Sequence, residues 1–162
     1  MQLKQLCEFC DEYLGVNEFN DYCPNGLQVE ATAEVRKIVC GVTASLALIE
    51  AAIEQDADTL IVHHGYFWKG ESQTITGYKG KRISSLIKNG INLLAFHLPL
   101  DVHPEVGNNV QLARVLGWEV TSSFGEQGLV FEGNLPTPEP LDEFAQQIET
   151  AIDTRALAIS AG

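Results

Sequence analysis

Histidine is scarce in this chain, four in 162 residues, and every one stands at or just beyond the end of an apolar run. His63 and His64 close Asp58-Thr59-Leu60-Ile61-Val62 and lead into Gly65-Tyr66-Phe67-Trp68-Lys69-Gly70. His97 closes Ile91-Asn92-Leu93-Leu94-Ala95-Phe96 and leads into Leu98-Pro99-Leu100-Asp101-Val102-His103. Neutral imidazole together with carboxylate is the ligand set of zinc, iron, manganese or nickel. A lone histidine at a strand end is more often a hydrogen-bonded core residue. Two adjacent ones, set against a second run that ends in His97 and Asp101, point instead to a metal site built on two neighbouring strand ends.

The spacing leaves the ligand geometry open. Successive strand side chains point to opposite faces. If the strand persists through His64, the two imidazoles suit two metals, one each, with Asp101 bridging. If the backbone turns at His63, both could hold one metal. Pro99 argues against a helix between His97 and Asp101, so a loop is expected to set their positions. His97 could ligate directly or orient a neighbour. His103, before Pro104, reads as a surface loop residue.

The residues around these ends could form a pocket. Tyr66, Phe67 and Trp68 either cover the core or stack on a planar substrate. Five of the ten basic residues fall between 69 and 88, namely Lys69, Lys79, Lys81, Arg82 and Lys88, opposed there only by Glu71. They make either a solvated helix face or a positive rim, with Lys69, Lys81 and Arg82 drawing an anionic small molecule to the site. Neither a Gly-x-Gly-x-x-Gly turn nor a phosphate-binding Gly-x4-Gly-Lys-Ser/Thr loop occurs. Thr43 and Ser45 lack the sequence signature of an activated nucleophile.

The remaining composition narrows the class. A net charge of −12, from 22 acidic and 10 basic side chains, makes nucleic acid an unlikely partner, because its binding rests on phosphate neutralisation. The apolar runs are far shorter than the roughly 20 residues that span a bilayer. Met1 opens a polar, amphipathic stretch rather than a secretory leader, so a cytoplasmic protein is expected. Cys7 and Cys10 have redox-motif spacing, but they share a helical apolar stripe with Leu3, Leu6 and Leu14 and read as core. Cys40 reads as strand core and Cys23 as a loop residue, all as reduced thiols.

The elements that must position these residues follow in order. Helix is expected over 2–14, with Gly15 closing it, then a loop over 17–28 with a Pro24-Asn25-Gly26 turn. Strands are expected at 36–43, 59–63 and 91–96. Helices follow at 46–55, capped by Ser45, at 81–88, and at 108–116, capped by Asn108. The 64–79 connection is long enough to be functional. This is the order of a doubly wound α/β domain: three layers, a mostly parallel sheet with flanking helices, and ligands at the carboxyl ends of the strands. The pattern breaks near 117–128. Residues 1–122 are therefore expected to form a metal-site α/β unit. Residues 123–162, with strands at 129–135 and 156–159 around a helix at 141–152, would begin a second, incomplete α/β unit.

The runs Asp21-Tyr22-Cys23-Pro24-Asn25-Gly26-Leu27-Gln28-Val29-Glu30, Gly41-Val42-Thr43-Ala44-Ser45, His63 to Gly70 and His97 to Asp101 resemble the NIF-three-like family. The similarity is to its YbgI-type members, labelled GTP cyclohydrolase type 2 homologues. The resemblance covers nearly the whole chain, most strongly residues 20–117. It implies a centre of two divalent metal ions, with His63, His64 and Asp101 as amino-terminal ligands and a His and a Glu from a carboxyl-terminal segment that this sequence does not reach. A fragment or a shortened variant is expected on that ground. The resemblance also implies a ring-shaped homohexamer. The expectation is a metal-dependent hydrolase acting on a nucleotide- or pterin-like substrate. The alternative is a non-catalytic, ring-forming metal-binding scaffold or interaction protein.

Overall fold

The computed structural model describes residues 1–159, and the chain gathers into two compact units, 1–100 and 101–162. The pattern break at 117–128 lies inside the second. In the first unit α1 (Leu3–Tyr13) precedes β1 (Gly26–Val29), β2 (Ile38–Thr43), α2 (Leu46–Glu54), β3 (Thr59–His64), α3 (Gly77–Lys88) and β4 (Asn92–Ala95). The sheet order is β1-β4-β3-β2. Strands β2, β3 and β4 run parallel, and β1 pairs antiparallel with β4. The sheet is mostly parallel, as the alternating pattern requires.

Winding proceeds one way only, from β2 through β3 to β4. Helices α2 and α3 of the two crossovers pack on one face. There Ile49 and Ala52 of α2 and Ile83 and Leu86 of α3 meet Leu60, Val62, Leu93 and Ala95. The other face carries Leu94 and Phe96, with Ile61 packed beside them, under Leu3 and Leu6 of α1. The sheet therefore has no strand-order reversal among its parallel members, and the doubly wound expectation is corrected on that point. The alternation 60/62 against 61, and 93/95 against 94/96, is the period of two expected of strands buried on both faces.

Local chemistry sets several boundaries. Gly15 takes φ 63° after α1. Ser45 Oγ accepts from the Leu48 amide at 3.1 Å, capping α2. The buried Asn92 ties β4 to the loop after β1. Its Oδ1 accepts from the Ala31 and Thr32 amides at 2.8 and 3.0 Å, which satisfies an otherwise orphaned amide group. Three expectations fail here. β1 replaces part of the expected 17–28 loop. Helix α3 begins at Gly77, four residues before Lys81. Cys40 is exposed, because β2 is the edge strand and Ile38 and Val42, on the same side as Cys40, are exposed too.

Helix α4 (Leu98–Val102) begins in the first unit and ends in the second, which then holds α5 (Asn108–Leu116), a β5 (Glu119–Phe124)–β6 (Val130–Asn134) antiparallel hairpin and α6 (Leu141–Ile152). Trp118 stacks on Phe144 with ring centroids 5.3 Å apart. β5 is not foreseen by the sequence because only Val120 and Phe124 are apolar in it. Gly107, not Asn108, occupies the N-cap of α5, and residues 156–159 form no strand. A short α4 forms despite Pro99, which sits in its first turn, where a missing amide hydrogen costs nothing. The described residues include no helix long and apolar enough to cross a membrane.

Candidate metal centre

The carboxyl ends of β3 and β4 bring His63, His64 and His97 together. One ring nitrogen of each lies within 4.8 Å of the others. β3 persists through His64, which pairs with Thr43 in register, yet the rings of His63 and His64 are only 4.3 Å apart between centroids. Strict alternation would have parted them. At the end of the strand the two rings converge instead.

Each ring is held through a nitrogen. His63 Nδ1 lies 2.9 Å from the Phe96 carbonyl oxygen. A carbonyl only accepts, so in this contact His63 donates from Nδ1. His97 Nδ1 lies 2.8 Å from Asp21 Oδ1, and His64 Nδ1 lies 3.3 Å from Thr43 Oγ1. Imidazoles oriented by carbonyl, carboxylate and hydroxyl partners are the usual supporting arrangement of a metal site. The donor set suits a borderline divalent cation.

The Asp21 carboxylate is almost fully buried, with a side-chain exposure of 3%. Burial alone would raise its pKa. Bonds from Asn25, His97, Leu98 N and Tyr22 N outweigh that and hold it below the ordinary carboxylate range. Asp21, Cys23 and His97 form a second group with converging ligand atoms. Burial, reinforced by the Asp21 charge, pushes the Cys23 thiol up to about 11, so Cys23 stays protonated at neutral pH without a metal. The sequence marks Asn25 as a turn residue but gives neither Asp21 nor Asn25 a part in the site. Their spacing, Asp-x-x-x-Asn across a Pro-Asn-Gly turn, is the signal that was present.

Glycine at position 65 has a steric reason. A Cβ there would lie 2.2 Å from Gln28 Oε1 and 2.6 Å from the Ala95 Cβ. The same Gln28 oxygen accepts from the Tyr66 amide at 2.7 Å. The chain after the histidines therefore packs closely against the side chains of Gln28 in β1 and Ala95 in β4, and Tyr66 turns into the core, where its hydroxyl donates to the Ala44 carbonyl at 2.7 Å. Burial pushes that phenol up to about 12.

Trp68 is the aromatic that stays at the site. Its ring lies 4.9 Å from that of His97 and 6.0 Å from that of His64, and its Nε1 donates to the Gly65 carbonyl at 3.2 Å. The loop is pinned from behind. Glu71 Oε2 accepts from the Phe67 and Trp68 amides at 3.0 and 3.2 Å, while Glu71 Oε1 lies 3.5 Å from the buried Lys79 Nζ. Phe67 sits at φ 66°, a conformation that costs a non-glycine residue energy and that those bonds sustain. Lys79, one of the five clustered basic residues, is thus a structural ion-pair partner.

The other basic residues lie elsewhere on the same surface segment. Lys69 is exposed, its amide donating to the Tyr22 carbonyl at 2.6 Å. Lys81 and Lys88 border an open hollow of about 700 Å³ along α3. The Arg82 guanidinium stands 5.2 Å over the Tyr78 ring. Asp101 belongs to the second unit, in α4, where Oδ1 accepts from Asn108 Nδ2 at 2.9 Å. His103 Nδ1 accepts from the Glu105 and Val106 amides, each at 3.2 Å, and closes a turn.

The family model Duf34/NIF3 (NGG1p interacting factor 3) matches residues 1–161. A Pseudomonas aeruginosa protein called GTP cyclohydrolase 1 type 2 homolog is 51% identical over 99% of this chain and 65% of its own length. The Escherichia coli protein of the same name is 48% identical over 97% of this chain and 63% of its own length. Among solved structures, one described as "Structural genomics, protein ybgI, unknown function" superposes with a TM-score of 0.94 at 48% identity, covering 97% of this chain and 63% of that one. A Thermus thermophilus protein, TTHA1606, superposes with a TM-score of 0.81 at 42% identity, over 93% and 61%. The chain therefore spans less than two thirds of the length of these relatives.

Proposed function

Because the chain belongs to the Duf34/NIF3 family, we propose that it supplies the amino-terminal half of a centre for two divalent metal ions in a cytoplasmic, metal-dependent hydrolase. One observation carries the reading: three imidazoles converge at two adjacent strand ends, and each has its Nδ1 engaged by a partner behind it. In this reading His63, His64 and Asp101 would hold the two metals, and His97 would complete or support the group. Iron, zinc, manganese or nickel held there would supply Lewis-acid polarisation of the attacked group and activation of water.

The protein's own part is to orient and to select. The Phe96 carbonyl, Thr43 and Asp21 fix the ring planes, so no reorganisation is needed when ligand arrives. Trp68 offers a face beside His97 on which a planar base or pterin-like ring can stack. Tyr66, in the core, takes part only by anchoring the loop that carries Trp68. Lys69 on the loop after β3, with Lys81 and Arg82 on α3, would draw an anionic, nucleotide-type substrate toward an otherwise acidic protein. The names of the relatives, homologues of a GTP cyclohydrolase type, support that class. A homohexameric ring is the assembly we expect.

A hydrolysis screen of the full-length Pseudomonas aeruginosa relative, with nucleoside triphosphates and pterins as substrates, tests the proposal. Product release that is lost on chelation and restored by a divalent metal is the expected result. No turnover of any substrate by the fully metal-loaded protein would contradict the hydrolase reading.

A further inference from the structure

An acidic residue outside the proposed ligand set, Asp21 from the loop before β1, touches the histidine cluster. Its carboxylate is saturated by this chain alone. Oδ1 meets His97 Nδ1 at 2.8 Å and accepts the Tyr22 amide. Oδ2 accepts from Asn25 Nδ2 and from the Leu98 amide, each at 2.9 Å. Asn25 in turn accepts the His97 amide through Oδ1 at 2.7 Å. The side chain and backbone of His97 are thus both clamped by one turn that lies more than seventy residues away in sequence.

We propose that Asp21, braced by Asn25, is a positioning residue that fixes His97 in the tautomer with its proton on Nδ1 and leaves Nε2 as the atom given to the metal centre. The inference rests on the reading of the histidines as a metal site. It goes beyond that reading in assigning His97 a single orientation and in excluding the Asp21–Cys23–His97 group as a ligand set. A carboxylate with four donors already placed has no lone pair directed elsewhere, and His97 Nδ1 cannot donate to Asp21 and bind a cation at once. Partners of this kind typically change metal affinity 10- to 100-fold when removed.

Two measurements on the chain decide it. The first is long-range proton–nitrogen correlation of the histidine rings in the metal-free parent and in Asp21→Asn. The parent should show His97 as one tautomer, protonated at Nδ1, and the variant a mixture, while the His63 ring, held by Phe96, is unchanged. A mixture already in the parent overturns the proposal without reference to any variant. The second is cobalt(II) titration. Asp21→Asn should bind about 10- to 100-fold more weakly with no thiolate-to-cobalt charge-transfer band in either protein. Equal affinities, or a thiolate band that Cys23→Ser abolishes, overturn the proposal. A parent that binds no cobalt at all would sink the metal reading instead, and the ring tautomers would still report whether Asp21 holds His97.

Discussion

His63 Nδ1 lies 2.9 Å from the carbonyl oxygen of Phe96, so the ring of one strand end is held by the backbone of the next. Parallel pairing of β3 with β4 sets that distance: Val62 lies opposite Ala95, and the Phe96 amide donates to the Val62 carbonyl at 3.0 Å. The orientation of the first candidate ligand is therefore a consequence of sheet register. A one-residue slip would exchange the core and site faces of the strand, so the register is enforced by Leu60, Val62, Leu93 and Ala95 in the core beneath.

Gly65→Ala tests how tightly the turn after the histidines is packed. The added methyl meets Gln28 Oε1 and the Ala95 Cβ at distances no Cβ tolerates. Overpacking of this kind costs about 1–3 kcal/mol. Denaturant unfolding should show that loss, and metal affinity should fall with it because Gly65 directly follows His64. Unchanged stability would mean that Gln28 and β4 yield freely.

Glu71→Ala should release the aromatic loop. The variant removes the acceptor of two amides and leaves the buried Lys79 with the Ser72 carbonyl and the Phe67 ring beside it. Losing hydrogen bonds to a charged group costs about 1.5–3 kcal/mol, and the partial exposure of Glu71 places the effect at the lower end. Trp68 fluorescence and anisotropy should report a looser indole while the far-ultraviolet circular dichroism of the sheet is retained. An unchanged Trp68 signal would show that Phe67 holds its left-handed backbone without Glu71.

Tyr66 predicts an alkaline effect. Burial raises its phenol from 10.0 to about 12, so the folded protein keeps that proton over a range in which the unfolded chain loses it. The sign follows directly: where the unfolded state binds fewer protons, stability falls as pH rises. Between about pH 10 and 12 the parent should lose stability more steeply than Tyr66→Phe. The variant itself starts about 1 kcal/mol lower, having given up the bond to Ala44. Parallel stability curves for the two proteins would contradict the buried-phenol account.

The sequence carried the parts of the site that are local. His63, His64 and His97 are legible because scarce residue types close two apolar runs, and two such runs in a wound sheet are neighbours. The core strands and α2, α5 and α6 are legible from their periods. What was not legible depends on tertiary pairing. β1 is four residues long and is formed by β4, not by its own pattern. Asp21 and Asn25 acquire meaning only once β4 brings His97 against their turn. Lys79 resembles its exposed basic neighbours in sequence, yet it is buried against Glu71 and Phe67. Cys40 has a strand-core pattern, but an edge strand leaves one side of it uncovered. Trp68, Phe67 and Tyr66 are adjacent and alike in composition, and the inward turn of Tyr66 is read only from the close packing of Gly65 on Gln28 and Ala95 and from the bonds that hold Tyr66.

The central claim is that this chain presents metal ligands at the ends of β3 and β4, and metal content measured against ligand variants tests it most directly. Elemental analysis of the purified chain after loading with zinc or manganese and removal of excess should find bound metal. His63→Ala, His64→Ala and Asp101→Ala should each lower the content or weaken calorimetric binding, with the circular dichroism of the α/β fold retained. His103→Ala, at the turn beyond α4, should leave binding unchanged. Full metal retention in His63→Ala, His64→Ala and Asp101→Ala together would contradict the account.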